Sequence, residues 1–154
     1  MQLSTFTDYT MRTLVYLGLQ KGKLVTIASI AKAYEISENH LMKVVYQLGQ
    51  SGYVETVRGK GGGLRLAQEA SSINIGALIR QTEGNASLLD CLDGESTCCI
   101  QHACKLQAIL RETQDAMYAV LYQYTLADLL QQNESLALIF ISKNAKKQEP
   151  GRTD

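Results

Sequence analysis

The chain of 154 residues is 45% hydrophobic and 19% charged with no net charge, a balance that excludes an intrinsically disordered polyelectrolyte and supports a core for one compact domain, or for one small domain plus an oligomerisation arm. The start, MQLSTFTDYTMR, lacks the basic and apolar regions of a secretory signal, and the longest purely apolar stretch, Leu136–Ile141, is far short of the roughly 20 residues a membrane helix needs. A cytoplasmic protein with no membrane partner is the expectation.

In chain order, Thr7-Asp8 reads as the start of a first helix, with Met11, Leu14, Val15 and Leu19 at helical spacing and Gly22 as its stop. Thr26 caps a second helix over Ile27–Tyr34 that turns Ile27, Ile30 and Ala31 inward. After Glu35-Ile36-Ser37, a third helix capped by Ser37 carries the stripe Leu41, Val44, Val45 and Leu48 and ends at Ser51-Gly52. Two helices joined by so short a turn form a helix-turn-helix pattern. Tyr53–Val57 and Leu64–Leu66 follow as short strands around the loop RGKGGG, Arg58 to Gly63. A phosphate-cradling P-loop is excluded there, because Lys60 precedes glycine rather than Ser or Thr and no glycine lies five residues before Gly59. The hairpin is the wing of a winged helix.

Ser71-Ser72 and Asn74 offer caps for a helix from Ile75 to about Glu83, broken at Gly84-Asn85. A long helix is read from about Ala103 to Tyr124, with Leu106, Ile109, Leu110, Thr113, Met117, Val120, Leu121 and Tyr124 along one side. At about 33 Å it exceeds what a small winged-helix core needs, so its stripe is read as an interface with a second copy of the chain. Thr125 caps a short helix, Leu126–Leu130, and the apolar stretch Ser135–Ser142 packs on the dimer arm. The fold class is therefore mainly α: a winged helix-turn-helix domain with a small β-hairpin wing, plus a long dimerisation helix. The divisions are 1–83 for DNA binding, 84–103 for a cysteine-rich loop, 104–142 for dimerisation helices and 143–154 for a loose tail.

Charge is unevenly spread along the chain. Residues 1–66 hold eight Lys/Arg against four acids, residues 67–142 hold three against nine, and residues 143–154 hold four against two. A basic front end suits phosphate. On the third helix Glu38, Asn39, His40, Lys43 and Gln47 are free of the core stripe and lie where a recognition helix addresses base edges. Asn39 and Gln47 carry the donor–acceptor pair that adenine requires, while Lys43 reaches guanine or phosphate. Arg58 and Lys60 on the wing suit the minor groove or the backbone.

All four cysteines fall in the fourteen-residue stretch CLDGESTCCIQHAC, from Cys91 to Cys104. A structural disulfide is disfavoured in the cytosol. The gaps of six, zero and four residues fit zinc poorly, since zinc sites usually take cysteines two to four residues apart. Adjacent Cys98 and Cys99 have diverging side chains and do not suit one small site together. A soft metal centre and a metal-free thiol switch both remain open from the residues alone. No Ser/His/Asp or paired-carboxylate constellation appears, and the only histidines are His40 and His102, so an enzyme is not expected.

FTDYTMRTLVYL, HLMKVVYQLGQSGYVETVRGKGGGLRLA, YTLADLL and the cysteine stretch closely resemble the NsrR branch of the NsrR/IscR superfamily of winged-helix repressors, over residues 1 to about 142. That resemblance implies a homodimer on palindromic promoter DNA, with an iron–sulfur cluster whose reaction with nitric oxide relieves repression. It also implies a ligand set. Cys98-x5-Cys104 matches the family ending, which leaves Cys99 spare and makes Cys91 the first ligand, six residues before Cys98 where relatives often have four or five. Cys104 then opens the long helix, where the dipole and Lys105 favour an anion. IscR-like relatives place a histidine ligand three residues after the last cysteine. Gln107 stands there in this chain, which favours a [4Fe–4S] over a [2Fe–2S] cluster and argues against an IscR-like regulator of cluster supply. The resemblance offers Asp8 of the partner subunit as fourth ligand, although an acid at a helix start also serves as a plain cap. His102, between the ligands, is disfavoured.

Overall fold

The computed structural model describes residues 2–84, 88, 89, 92 and 98–131. Cys91, the apolar stretch 135–142 and the tail 143–154 lie outside the described residues. Helix α1 spans Thr5–Leu19 and is capped by Ser4, whose hydroxyl accepts from the Thr7 N–H. The start read at Thr7-Asp8 is thus corrected by three residues. The Ser4 N–H and hydroxyl both donate to Glu83 Oε1 at 2.9 Å, and this long-range anchor makes Ser4 the cap. The buried face of α1 is Thr7, Thr10, Thr13, Leu14 and Leu17, while Met11, Val15 and Leu19 only flank the core.

Helix α2 spans Ile27–Tyr34, with Thr26 accepting from the Ser29 N–H and Glu35 turning the chain in the left-handed region at φ 57°. Ile30 and Ala31 are buried as expected, and Ile27 is half-buried against them. Helix α3 spans Glu38–Gln50 and buries the expected Leu41, Val44, Val45 and Leu48. Ser37 occupies the cap position, but its side chain makes no capping bond. The predicted hydroxyl cap is corrected: Ser37 contributes its backbone, and its carbonyl accepts from the Leu41 N–H.

Strands β1 (Val54–Val57) and β2 (Gly63–Leu66) pair antiparallel with Val54 opposite Leu66 and Val57 opposite Gly63. The hairpin starts one residue later than predicted at Tyr53 and gains Gly63. Val25 adds a short third rung, exchanging backbone bonds of 3.0 and 2.7 Å with Leu64. This explains the run of glycines. A Cβ on Gly63 would stand 2.7 Å from the Val25 carbonyl oxygen, and one on Gly62 would overlap that of Val57. The wing closes only without side chains at these two positions.

A 3₁₀ turn at Ala70–Ser72 leads to α4, Ile75–Glu83, capped by Asn74 through the Ala77 N–H at 3.0 Å. A second 3₁₀ turn, Gln101–Ala103, precedes α5, Lys105–Leu121. The long helix is therefore 17 residues rather than the predicted run from Ala103 to Tyr124, or about 25 Å. Helix α6, Leu126–Leu129, begins with a capping box of Thr125 and Asp128. Helices α5 and α6 return to the front of the molecule, α5 against α4 and α6 against α1. Ile73, Ile75, Tyr118, Leu126 and Leu130 join the core of α1–α3.

Candidate nucleic-acid interface and cysteine site

With one side of α3 in the core, Glu38, Asn39, His40, Lys43 and Gln47 are all exposed, as are Arg58 and Lys60 at the wing tip. They are not equivalent. His40 leans towards α1, with its ring 6.2 Å from that of Tyr9, and together with Lys43 it borders an apolar cleft of about 290 Å³ lined also by Thr5, Phe6, Tyr9 and Val44. Asn39 and Lys43 stand opposite the buried stripe. Two further residues share their face: Met42, 51% exposed, and Tyr46, 68% exposed. Selecting polar residue types passed over both, whereas helical phase alone puts them there. On the wing, Arg65 is engaged by Glu55 across the strands at 2.8 Å, so Arg58 and Lys60 carry the tip.

Asp8 lies in the first turn of α1, and its Oδ1 accepts from Arg12 Nε at 2.8 Å. The hydrogen bond from Arg12 to Asp8 raises the Arg12 pKa above its ordinary value. The same guanidinium lies 5.6 Å above the Tyr34 ring, whose hydroxyl is pushed up to about 12, chiefly by burial.

Cys104 is half-buried at the N-cap of α5, with Lys105 as the first helical residue. A cleft of about 440 Å³ beside it is lined by Gln101, Ala103, Lys105, Gln107, Ala108 and Arg111. Cys98 and Cys99 are exposed, and the Cys98 carbonyl accepts from the Gln101 N–H, which starts the 3₁₀ turn towards Cys104. Of the described thiols only Cys104 lines this cleft, beside a helix N-terminus and two cations, Lys105 and Arg111, surroundings that suit a soft, anionic group; among the described residues no three potential metal ligands come together.

The stripe read along α5 divides in two. Tyr118 is buried, and Met117 and Leu121 pack on the core, with Arg80 5.5 Å from the Tyr118 ring. Leu106, Ile109, Thr113, Ala116 and Val120 are exposed and recur at alternating spacings of three and four. Among the described residues no helix is long and apolar enough to cross a membrane.

A helix-turn-helix, a cationic wing and a return helix define a winged-helix transcription regulator. The profile of the Rrf2 family, described as iron-dependent transcriptional regulators, matches residues 3–132, and the chain belongs to that family. It is 47% identical over 138 residues to the HTH-type transcriptional regulator NsrR of Halalkalibacterium halodurans, covering 88% of this chain and 94% of that protein. Against NsrR of Bacillus subtilis the identity is 46% with the same coverage. The resemblance to the NsrR branch is borne out. Among solved structures, oxidized Staphylococcus aureus CymR superposes with a TM-score of 0.67 at 26% identity, covering 85% of this chain and 97% of that one. T. potens IscR shares the fold, with a TM-score of 0.66 at 24% identity and coverage of 99% and 94%.

Proposed function

We propose that the chain is a homodimeric repressor that holds an iron–sulfur cluster on Cys91, Cys98 and Cys104, and releases palindromic promoter DNA when nitric oxide arrives. The observation that carries this reading is the position of Cys104 at the N-cap of α5. That one thiol stands at the root of the helix whose exposed stripe would meet a second copy in this reading. The similarity to regulators named NsrR and a family described as iron-dependent fit an iron-containing sensor; nitric oxide as the signal rests on the resemblance of the motifs, and Gln107, where IscR-like relatives have a histidine, favours [4Fe–4S] over [2Fe–2S]. When bound, the cluster supplies the centre that reacts with nitric oxide.

The chain's own residues do the rest. Asn39, Lys43 and Gln47 face base edges, with Glu38 and His40 at their flanks, while Arg58 and Lys60 engage backbone or minor groove. Asp8 of the partner subunit is the fourth ligand in this reading. A carboxylate is a hard donor, so Asp8 would hold a soft centre more weakly than the three thiolates. Within its own chain Asp8 has Arg12 as a ready alternative partner. Helix α1 packs on α3 around Phe6, Tyr9 and His40, so where Asp8 is held would bear on the position of the reading helix. Two heads displaced from a spacing of about 34 Å, one DNA turn, lose complementarity. A loss of ~3 kcal/mol weakens binding more than a hundredfold.

Iron and sulfide analysis of protein prepared without oxygen, followed by DNA binding before and after nitric oxide, tests the reading. Brown protein with both elements, and loss of affinity on exposure to the gas, are expected. Iron-free protein would refute it. The adjacent exposed thiols of Cys98 and Cys99 favour one second reading, a metal-free thiol switch. That switch predicts colourless protein whose DNA binding follows peroxide and dithiothreitol.

A further inference from the structure

The solvent face of α3 carries two side chains that a merely hydrated helix does not need. Met42 and Tyr46 are the most exposed large apolar residues of that helix and stand one turn apart, where residues i and i+4 share a face. Asn39 and Lys43 lie on the same face, opposite Leu41, Val44, Val45 and Leu48. Other tyrosines nearby are engaged: Tyr9 with His40, Tyr16 with Tyr34, and Tyr53 through its hydroxyl to Gln81. Among the described residues neither a ring contact nor a hydrogen bond reaches Tyr46. A thioether and a phenol ring left in water are unfavourable until something covers them.

The neighbours of this strip indicate what covers it. Lys43 on the same face of α3, together with the exposed Arg58 and Lys60 on the wing that follows it, gives this domain cations suited to a polyanion. On the base edges of a major groove, the apolar feature is the C5 methyl group of thymine. We propose that Met42 and Tyr46 form an apolar reading strip that recognises thymine methyl groups between the polar contacts made by Asn39 and Lys43. This deepens the DNA-reading role given to α3 and rests on it, adding the base chemistry that the polar residues cannot distinguish. Tyr46 acts through its ring; its hydroxyl is dispensable.

The test begins with full-length protein prepared without oxygen, selecting its tightest duplex from a randomised DNA pool. Each thymine of that duplex is then replaced singly by deoxyuridine, which deletes only the methyl group. At one or two positions in each half-site affinity falls about three- to tenfold. At those positions Tyr46→Ala or Met42→Ala binds the thymine and uracil duplexes equally well, while Tyr46→Phe keeps the thymine preference. Thermal melting monitored by circular dichroism confirms that these exposed substitutions leave the fold intact. Absence of any uracil-sensitive position overturns the proposal, as does a full uracil effect persisting in both alanine variants. A Tyr46→Phe protein as impaired as Tyr46→Ala, with the uracil effect unchanged, assigns the residue to phosphate and overturns it too. A pool that yields no preferred sequence refutes the DNA-reading role itself, a separate failure.

Discussion

Three threonines line the buried side of α1, and their hydroxyls fare differently. Thr7 donates to Thr82 Oγ1 at 2.8 Å, and Thr13 donates to the Tyr9 carbonyl at 2.7 Å. Thr10 Oγ1 is buried without a hydrogen-bond partner among the described residues. Hydration of that hydroxyl is lost on folding with nothing in return, whereas valine has nearly the same shape and no polar group. Thr10→Val is therefore expected to stabilise the protein by about 1 kcal/mol in urea unfolding. Thr7→Val removes a made bond and strips Thr82 of a partner, so it lowers stability by about as much, ~1 kcal/mol. Equal effects of the two substitutions would show that Thr10 is satisfied in solution. This face was hidden from periodicity because threonine counts as polar, and apolar spacing pointed to Met11 and Val15 at its edges. Met42 and Tyr46 escaped for the mirror-image reason: on α3 polar side chains were sought, and the outward phase also holds apolar ones.

Elements whose boundaries depend on neighbours in sequence were legible; those fixed by distant partners were not. Thr26 and Asn74 cap through an N–H three residues on, and glycine at Gly52 closes α3 at φ 74°, so α2, α3 and α4 could be placed from local patterns. Helix α1 begins where Glu83 grips Ser4, 79 residues away. Helix α5 ends early because the chain beyond Leu121 is taken up by α4: Asn74 Nδ2 donates to the Tyr122 carbonyl at 2.8 Å, and the Ile75 N–H to that of Tyr124 at 2.9 Å. No pattern of spacing announces such a clamp. The cysteine stretch was conspicuous by composition, yet the reading proposed for it rests on family resemblance, because spacing alone left metal and redox chemistry open. The α1–α4 tie also titrates. Burial pushes the Glu83 carboxyl up, but hydrogen bonds from the Ser4 N–H and hydroxyl help outweigh it, and the net pKa lies below the ordinary value. A depressed folded pKa contributes stability above the unfolded value, near 4.5, and loses it as pH falls through the folded one. Glu83→Gln should thus flatten the acid limb of a stability–pH profile below that value while changing the neutral region less. An unchanged limb would place the acid sensitivity elsewhere, as at Asp128, whose carboxyl the Thr125 backbone N–H and hydroxyl also hold low.

At the scale of the molecule, α5 has one face packed on the fold and one exposed face that the proposed dimer would use. Tyr118, Met117 and Leu121 fasten the helix to α4 and the core, so substitutions there report on folding. Leu106, Ile109 and Val120 face outward, so substitutions there report on association if a second chain covers them. Ile109→Glu puts a charge into that seam, where desolvating it without a partner is costly. Sedimentation is expected to show the variant as a monomer with an unaltered circular dichroism spectrum. Its affinity for a full palindrome then falls at least a hundredfold, while affinity for an isolated half-site stays within about twofold, because only the second head's intramolecular engagement is lost. The paired measurement separates two accounts of α5. If the half-site is lost in parallel with the palindrome, the outward stripe is sustaining the winged helix itself. If the variant still sediments as a dimer, the seam lies on another face, and coupling between the cysteine site and the spacing of the heads must be sought there.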